Sequence, residues 1–124
     1  MNNTEPIVKY DEPSDTLYIS FAPGEKGTGV ELNDSILLRI NKQERRAIGI
    51  TLFNYSFLAQ RTTLGPCSLP LTGLAELSDE LHALVIEILM RPPMQNILAV
   101  SAYTPTLAEI VPITSLKGDA LALA

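Results

Sequence analysis

The chain has 124 residues, of which 46% are hydrophobic, 19% charged and 6% aromatic, with 14 acids against nine bases, one histidine and a formal charge of −5. At about 100–200 residues per domain, this length predicts one domain over residues 1–124, and the apolar fraction is too high for intrinsic disorder. No apolar run approaches the roughly 18 residues of a membrane-spanning helix, so a soluble globular protein is expected.

The lone Cys67 excludes an intrachain disulfide framework, and the opening Met1-Asn2-Asn3-Thr4-Glu5-Pro6 lacks the basic and apolar regions of a secretory signal. A cytoplasmic, reducing location follows as the expectation. Acidity argues against a general nucleic-acid binder, which needs clustered Lys and Arg to displace phosphate counterions. The charge is also segregated. Residues 1–34 sum to −5, residues 35–46 (Arg39, Lys42, Arg45 and Arg46 against Glu44) to +3, and the rest to −3.

Short alternating segments separated by turn chemistry predict strands through the first half. Ile7 to Tyr10 is followed by Asp11-Glu12-Pro13-Ser14-Asp15, where proline fixes φ and the Asp and Ser side chains bond nearby backbone. Thr16 to Phe21 puts Leu17, Ile19 and Phe21 on one face and Tyr18 and Ser20 on the other. After a turn at Pro23 to Gly27 come Thr28 to Leu32, the tight turn Asn33-Asp34, and Ser35 to Asn41 with Ile36, Leu38 and Ile40 aligned. The polar stretch 42–46 leads to Ala47 to Asn54, with Ile48, Ile50 and Leu52 on one face. Together these predict an antiparallel meander over 7–55. Gly49, inside its last strand, signals a bulge or a close approach by another element.

Residues 61–77 combine Gly65, Pro66, Pro70 and Gly73 with scattered apolar residues and read as a loop. Ser78 stands as N-cap of a helix over 78–91, with Asp79 and Glu80 favoured by the positive end of its dipole. Leu81, Leu84, Val85, Ile88 and Leu89 form the core-facing stripe, and Pro92-Pro93 ends it. Residues 78–115 thus supply the helix and two strands, Ile97 to Tyr103 and Glu109 to Thr114, joined through Thr104-Pro105-Thr106. The first is apolar on both faces and should be buried on both; Pro112 should make the second an edge. The tail 117–124 is expected to fray. The fold class is therefore α+β: an antiparallel sheet, one main amphipathic helix packed on it and a C-terminal β-hairpin.

Four stretches carry a family resemblance: Val8-Lys9-Tyr10-Asp11, Ser14-Asp15-Thr16-Leu17-Tyr18-Ile19, Val30 to Leu38, and Ala47-Ile48-Gly49-Ile50-Thr51-Leu52-Phe53-Asn54. In this order and spacing they resemble the family known as domain of unknown function 2283, a group of small prokaryotic proteins, over residues 8–55. Thr16 stands where that family usually has Ala. The resemblance implies a small antiparallel sheet with a helix. It assigns no catalytic residue, because no activity is established for the family, and it does not extend beyond residue 61.

The residue inventory narrows the chemistry further. With His82 as the single histidine, a two-His zinc motif is impossible within one chain, and His82 reads as a helix-flank residue rather than a general base. A Cys67–His82 nucleophile pair is conceivable, but a buried structural thiol is the expectation. Gly24, Gly27 and Gly29 make no phosphate loop, lacking Gly-Lys-Ser/Thr and a following helix. Asp11 and Asp15 in one turn and Glu31 and Asp34 in another are candidate oxygen ligands for Ca²⁺ or Mg²⁺ if the turns are adjacent; otherwise they bond turn backbone. The bases 39–46 read as a solvated hairpin tip, since no aromatics are interleaved for base stacking. No catalytic residue and no cofactor is assigned.

Tyr18, Phe53 and Tyr55 are expected on the sheet face opposite Leu17 and Ile19. With Leu98 and Val100 they are the candidate interface residues, because two apolar sheet faces exceed what one helix covers. The leading expectation is a non-enzymatic module that self-associates as a homodimer. One alternative is a small enzyme or ligand- or metal-binding domain with a pocket between the sheet and the loop Gly65 to Gly73, using Asp11, Asp15 or His82. Another is a partner of a second small protein, as in a toxin–antitoxin pair.

Overall fold

The computed structural model describes residues 6–117. Strands β1 (Ile7–Asp11), β2 (Thr16–Ser20), β3 (Thr28–Asn33), β4 (Ile36–Asn41) and β5 (Arg46–Phe53) form an antiparallel sheet in the order β1-β2-β5-β4-β3. The meander holds within β1–β2 and within β3–β4–β5. The connection between these two units crosses the end of the sheet, so that β5 lies between β2 and β4 in a Greek-key order.

That crossing spans three strand spacings, about 14 Å, and residues 21–27 cover it. Its passage depends on a bulge in β5. Arg39 pairs with Gly49 but Ile40 with Ala47, leaving Ile48 out of the ladder. The freed Ile48 carbonyl accepts the Phe21 and Ala22 N–H groups at 2.8 and 3.3 Å. Gly27 then passes so near that a Cβ would lie 2.3 Å from Ile48 Cδ1 and 2.4 Å from the Ile40 carbonyl oxygen. Gly49 adjoins the bulge, as one of the two expectations has it; the near contact at its missing Cβ, 2.8 Å from the Ile19 carbonyl oxygen, comes from the paired strand β2 and not from an element packed over it.

The register sorts the side chains into two faces. Val8, Ile19, Ile50, Leu38 and Val30 form one continuous inner row, and Tyr10, Leu17, Leu52 and Ile36 the next. The opposite face carries Lys9, Tyr18, Thr51, Leu37 and Glu31 in one row and Ser20, Gly49, Arg39 and Gly29 beside it.

The second half covers the inner face. A short helix α1 (Tyr55–Leu58) follows β5, and the stretch read as loop holds three two-residue strands, β6 (Arg61–Thr62), β7 (Gly65–Pro66) and β8 (Leu69–Pro70), and a 3₁₀ turn Thr72–Glu76. The main helix α2 (Asp79–Leu89) starts as predicted, with the Ser78 hydroxyl accepting the Leu81 N–H at 3.2 Å. A 3₁₀ turn Met94–Asn96 leads to β9 (Leu98–Thr106) and β10 (Glu109–Leu116), the C-terminal hairpin. Leu84, Val85, Ile88 and Leu89 join Leu71, Leu74, Met94, Ile97, Leu98 and Leu116 and the inner face of the sheet in one buried cluster. Both halves of the chain therefore share one core.

Two expectations for the hairpin are corrected. Only Leu98 of β9 is buried; Ala99 and Val100 are half-buried, and every residue from Ser101 to Ile110 is exposed, because none of the described residues covers either side of the ribbon there. The strand with Pro112 is not an edge, for β10 lies between β9 and β8. Proline is tolerated because β8 pairs only at Ile113 and Thr114; next to it the Pro112 carbonyl accepts the Leu71 N–H at 2.9 Å, so the side lacking a donor faces the end of β8. Lys117 is tied down through its N–H to the Ile97 carbonyl at 2.8 Å, and the rest of the tail predicted to fray, 118–124, lies outside the described residues. No described helix is long and apolar enough to cross a membrane.

Candidate functional site

Asp15 is the centre of a polar cluster that joins the first turn to the end of the sheet. It adopts a left-handed φ of 53°, which Asp tolerates through local hydrogen bonding. Tyr10 donates its hydroxyl to Asp15 Oδ1 at 2.6 Å, and Ser56 donates its hydroxyl to the same oxygen at 2.8 Å and its N–H to both oxygens at 3.1–3.2 Å. The Tyr10 hydrogen bond, the largest effect, holds the Asp15 carboxyl below the usual range against the opposing effect of burial, with the two Ser56 hydrogen bonds adding smaller contributions. The same hydrogen bond to Asp15 raises the Tyr10 hydroxyl, although Ser56 opposes it. The carboxylate thus accepts from three donor groups, chiefly on Oδ1, and the phenol is held protonated. This arrangement fastens α1 and the first hairpin together, with Tyr55 packed edge-on against Tyr10, ring centroids 5.8 Å apart.

The other candidate residues do not converge. Asp11 accepts the Ser14 N–H at 3.2 Å and the Ser14 hydroxyl, closing its own turn. Asp11 ends edge strand β1 and Glu31 lies on the opposite edge strand β3, four strand spacings or about 19 Å away, while Asp15 and Asp34 precede β2 and β4 and are held two spacings, about 10 Å, apart by β5. Among the described residues no group of three or more His, Cys, Asp or Glu could hold a metal ion. A cleft of about 300 Å³ does run beside the contact of β3 with the 3₁₀ turn Thr72–Glu76, but its charged lining is Glu31, Asp34 and Glu76, without Asp11, Asp15 or His82. Cys67 lines a small apolar gap with Leu58, Leu69 and Leu98, where no histidine is present.

Two of the four bases of the basic segment, Arg45 and Arg46, are used internally. Arg45 pairs with Glu87 of α2 at 2.6 Å, tying the β4–β5 turn to the helix, and Arg91 joins the same carboxylate at 2.7 Å. Arg46 pairs with Glu25 and Glu44, both at 2.7 Å. These guanidinium groups keep the Glu25 and Glu87 carboxyls below their usual range. The segregated charge of the sequence is thus complementarity within the fold, since Arg46 reaches back to Glu25 of the acidic first segment.

The interface candidates separate by burial. Tyr55 and Leu98 are in the core, 5% and 1% exposed, and so cannot face a partner; Val100 is half-buried against it. Tyr18 and Phe53 do emerge on the outer face of the sheet. Three further exposed apolar side chains lie together in sequence on the outer part of the β9–β10 hairpin: Tyr103 at 55%, Ile110 at 73% and Leu107 fully exposed. Sequence reasoning missed this arm because it took Pro105 for the turn. Pro105 instead lies within β9, an edge strand where a missing donor is harmless, and the turn follows at Leu107-Ala108. The available signal was Leu107, an apolar residue at a loop tip.

The chain is an α+β domain whose outward surfaces, an open sheet face and a projecting β-arm, are built on a five-stranded Greek-key sheet. Residues 7–56 match the family model described as protein of unknown function (DUF2283). The matched segment comprises the whole sheet and ends on Ser56, the residue that binds Asp15. No curated protein and no solved structure matches the chain.

Proposed function

We propose that this protein is a non-enzymatic, cytoplasmic interaction module that assembles as a two-fold homodimer through the β9–β10 arm. The observation that carries the reading is the run from Ser101 to Ile110, exposed throughout although it includes Tyr103, Leu107 and Ile110. A two-stranded ribbon without a packed face is marginal in water, and a cluster of exposed apolar side chains calls for a cover. A second copy suits the arm: Glu109 is the one charge in that run, so two arms meet with little repulsion, and β9 is an edge strand with no further partner among the described residues, which suits strand addition. The non-enzymatic part rests on the structural engagement of Asp15 by Tyr10 and Ser56 and on the acidic turns forming no ligand cluster among the described residues. The cytoplasmic part rests on the unpaired Cys67.

Sedimentation equilibrium at micromolar concentrations tests the proposal. The expected species has twice the 13.5 kDa mass of the chain, and a Leu107→Asp, Ile110→Asp double variant is expected to sediment as a monomer with an unchanged circular dichroism spectrum. A monomeric wild-type protein at tens of micromolar refutes the dimer, and a dimer that survives the double substitution refutes the arm as its interface.

A further inference from the structure

The outer sheet face, away from the arm, contains a trough of about 220 Å³. Its floor is Gly49 and Thr51 of β5; Tyr18 and Ser20 of β2 form one wall, Arg39 of β4 the other, and the crossing segment Ala22 to Glu25 closes one end. The walls stand two strand spacings apart, about 10 Å.

Two features of this trough have no structural use. Thr51 is only 7% exposed, yet its hydroxyl has no hydrogen-bond partner among the described residues. No fully enclosed side-chain oxygen among those residues lacks a partner, so the Thr51 hydroxyl keeps its access through the trough that it lines. Arg39 is likewise unpaired, in contrast to Arg45, Arg46 and Arg91, each of which holds a carboxylate. Both cross-strand neighbours of Arg39 are glycines, Gly29 and Gly49, so no side chain stands beside it on either adjoining strand.

We propose that this trough binds a small monocarboxylate with a flat ring. The Arg39 guanidinium presents a planar fork that fits a carboxylate bidentately, and the Thr51 hydroxyl supplies a further donor from the floor. One free cation matches one negative charge. Glu25 at the closed end, although engaged by Arg46 and Asn41, disfavours a second. The exposed ring of Tyr18 on the opposite wall offers a stacking surface, and the absence of a Cβ at Gly49 opens the space between them. The volume lies below the roughly 300–1,000 Å³ of pockets for drug-sized molecules, which limits the ligand to about one ring.

Titration of the ¹⁵N-labelled protein with benzoate, followed by amide NMR, tests this, with neutral benzamide and inorganic phosphate as comparison probes. Benzoate is expected to shift the signals of Tyr18, Arg39, Gly49 and Thr51 saturably at millimolar concentration. Benzamide is expected to bind at least about tenfold more weakly, and Arg39→Gln to weaken benzoate by a similar factor, as loss of a charge-assisted hydrogen-bond pair implies. Thr51→Val, of nearly the same shape, should weaken it several-fold while leaving the spectrum otherwise intact. Any of the following overturns the proposal: no saturable shift with benzoate, shifts confined to other residues, equal binding of benzamide, binding unchanged by Arg39→Gln, or phosphate binding as tightly as benzoate.

Discussion

Gly73 offers a direct test of how the second half of the chain is locked onto the sheet. The 3₁₀ turn Thr72–Glu76 lies against β3 with backbone facing backbone. A methyl group on Gly73 would sit 1.8 Å from the Glu31 carbonyl oxygen and 3.1 Å from the carbonyl carbon of Leu32. Relief requires separating turn and strand by more than 1 Å, roughly the gap to an ordinary contact distance, because neither backbone can swing aside as a side chain would. That separation would also loosen Leu71 and Leu74, each 2% exposed beneath the turn.

Overpacking a well-filled site costs about 1–3 kcal/mol, and the rigidity of both partners sets this case near the upper end. The lower unfolded-state entropy of Ala offsets about 0.4–1 kcal/mol. Gly73→Ala should therefore destabilise the protein by about 2–3 kcal/mol, measured as a lower urea midpoint at unchanged slope. Gly29→Ala is the control: its added methyl would meet only Leu37 Cδ1 at 3.6 Å, an ordinary contact to a side chain that can adjust. It should be neutral or stabilising by up to about 1 kcal/mol. If Gly73→Ala falls within about 0.5 kcal/mol of wild type, the close backbone contact does not fasten the two halves.

Three further outcomes follow from the packing and the charges. The Asp15, Glu25 and Glu87 carboxyls are all lowered in the folded state, so their stabilisation is present above the ordinary carboxylate range and is lost as the pH falls through and below about 4. Asp15→Asn keeps the left-handed backbone that Asn tolerates and removes the charge. It should lower the urea midpoint at pH 7 and reduce the loss between pH 7 and pH 3; an unchanged pH profile would contradict the assigned role. Leu38→Ala, at a fully buried position in the central inner row, should cost about 2–5 kcal/mol in the same assay. Ser78→Ala removes the cap on α2 and should cost about 1 kcal/mol, seen by circular dichroism as an earlier thermal transition.

The five strands of the first half, most of the inner face of their sheet and the main helix were legible in the sequence, because period-two alternation and the 3.6-residue stripe are local consequences of which face is buried. Leu17, Ile19, Ile36 and Leu38 announce their side of the sheet whatever the strand order. The cap at Ser78 is equally local, since its hydroxyl needs only the N–H three residues on. The candidate site was far less legible. Asp15 was recognised as a turn residue, but its bond to Ser56 joins positions 41 apart in the chain, and no spacing rule reaches that far.

Strand order was decided only in three dimensions. It places Asp11 and Glu31 on opposite edge strands and β5 between Asp15 and Asp34, so that the two acidic turns form no cluster of ligands among the described residues. It brings Tyr18, Thr51 and Arg39 together across β5, although each is unremarkable in its own strand. Likewise the apolar run 97–102 states a need for burial but not which part receives it. The packed base of the hairpin takes Leu98, and the arm beyond Ser101 is left in solvent because no part of the described chain reaches it. Local physics set the faces of each element; the assignment of neighbours, and with it every candidate for function, came from long-range packing.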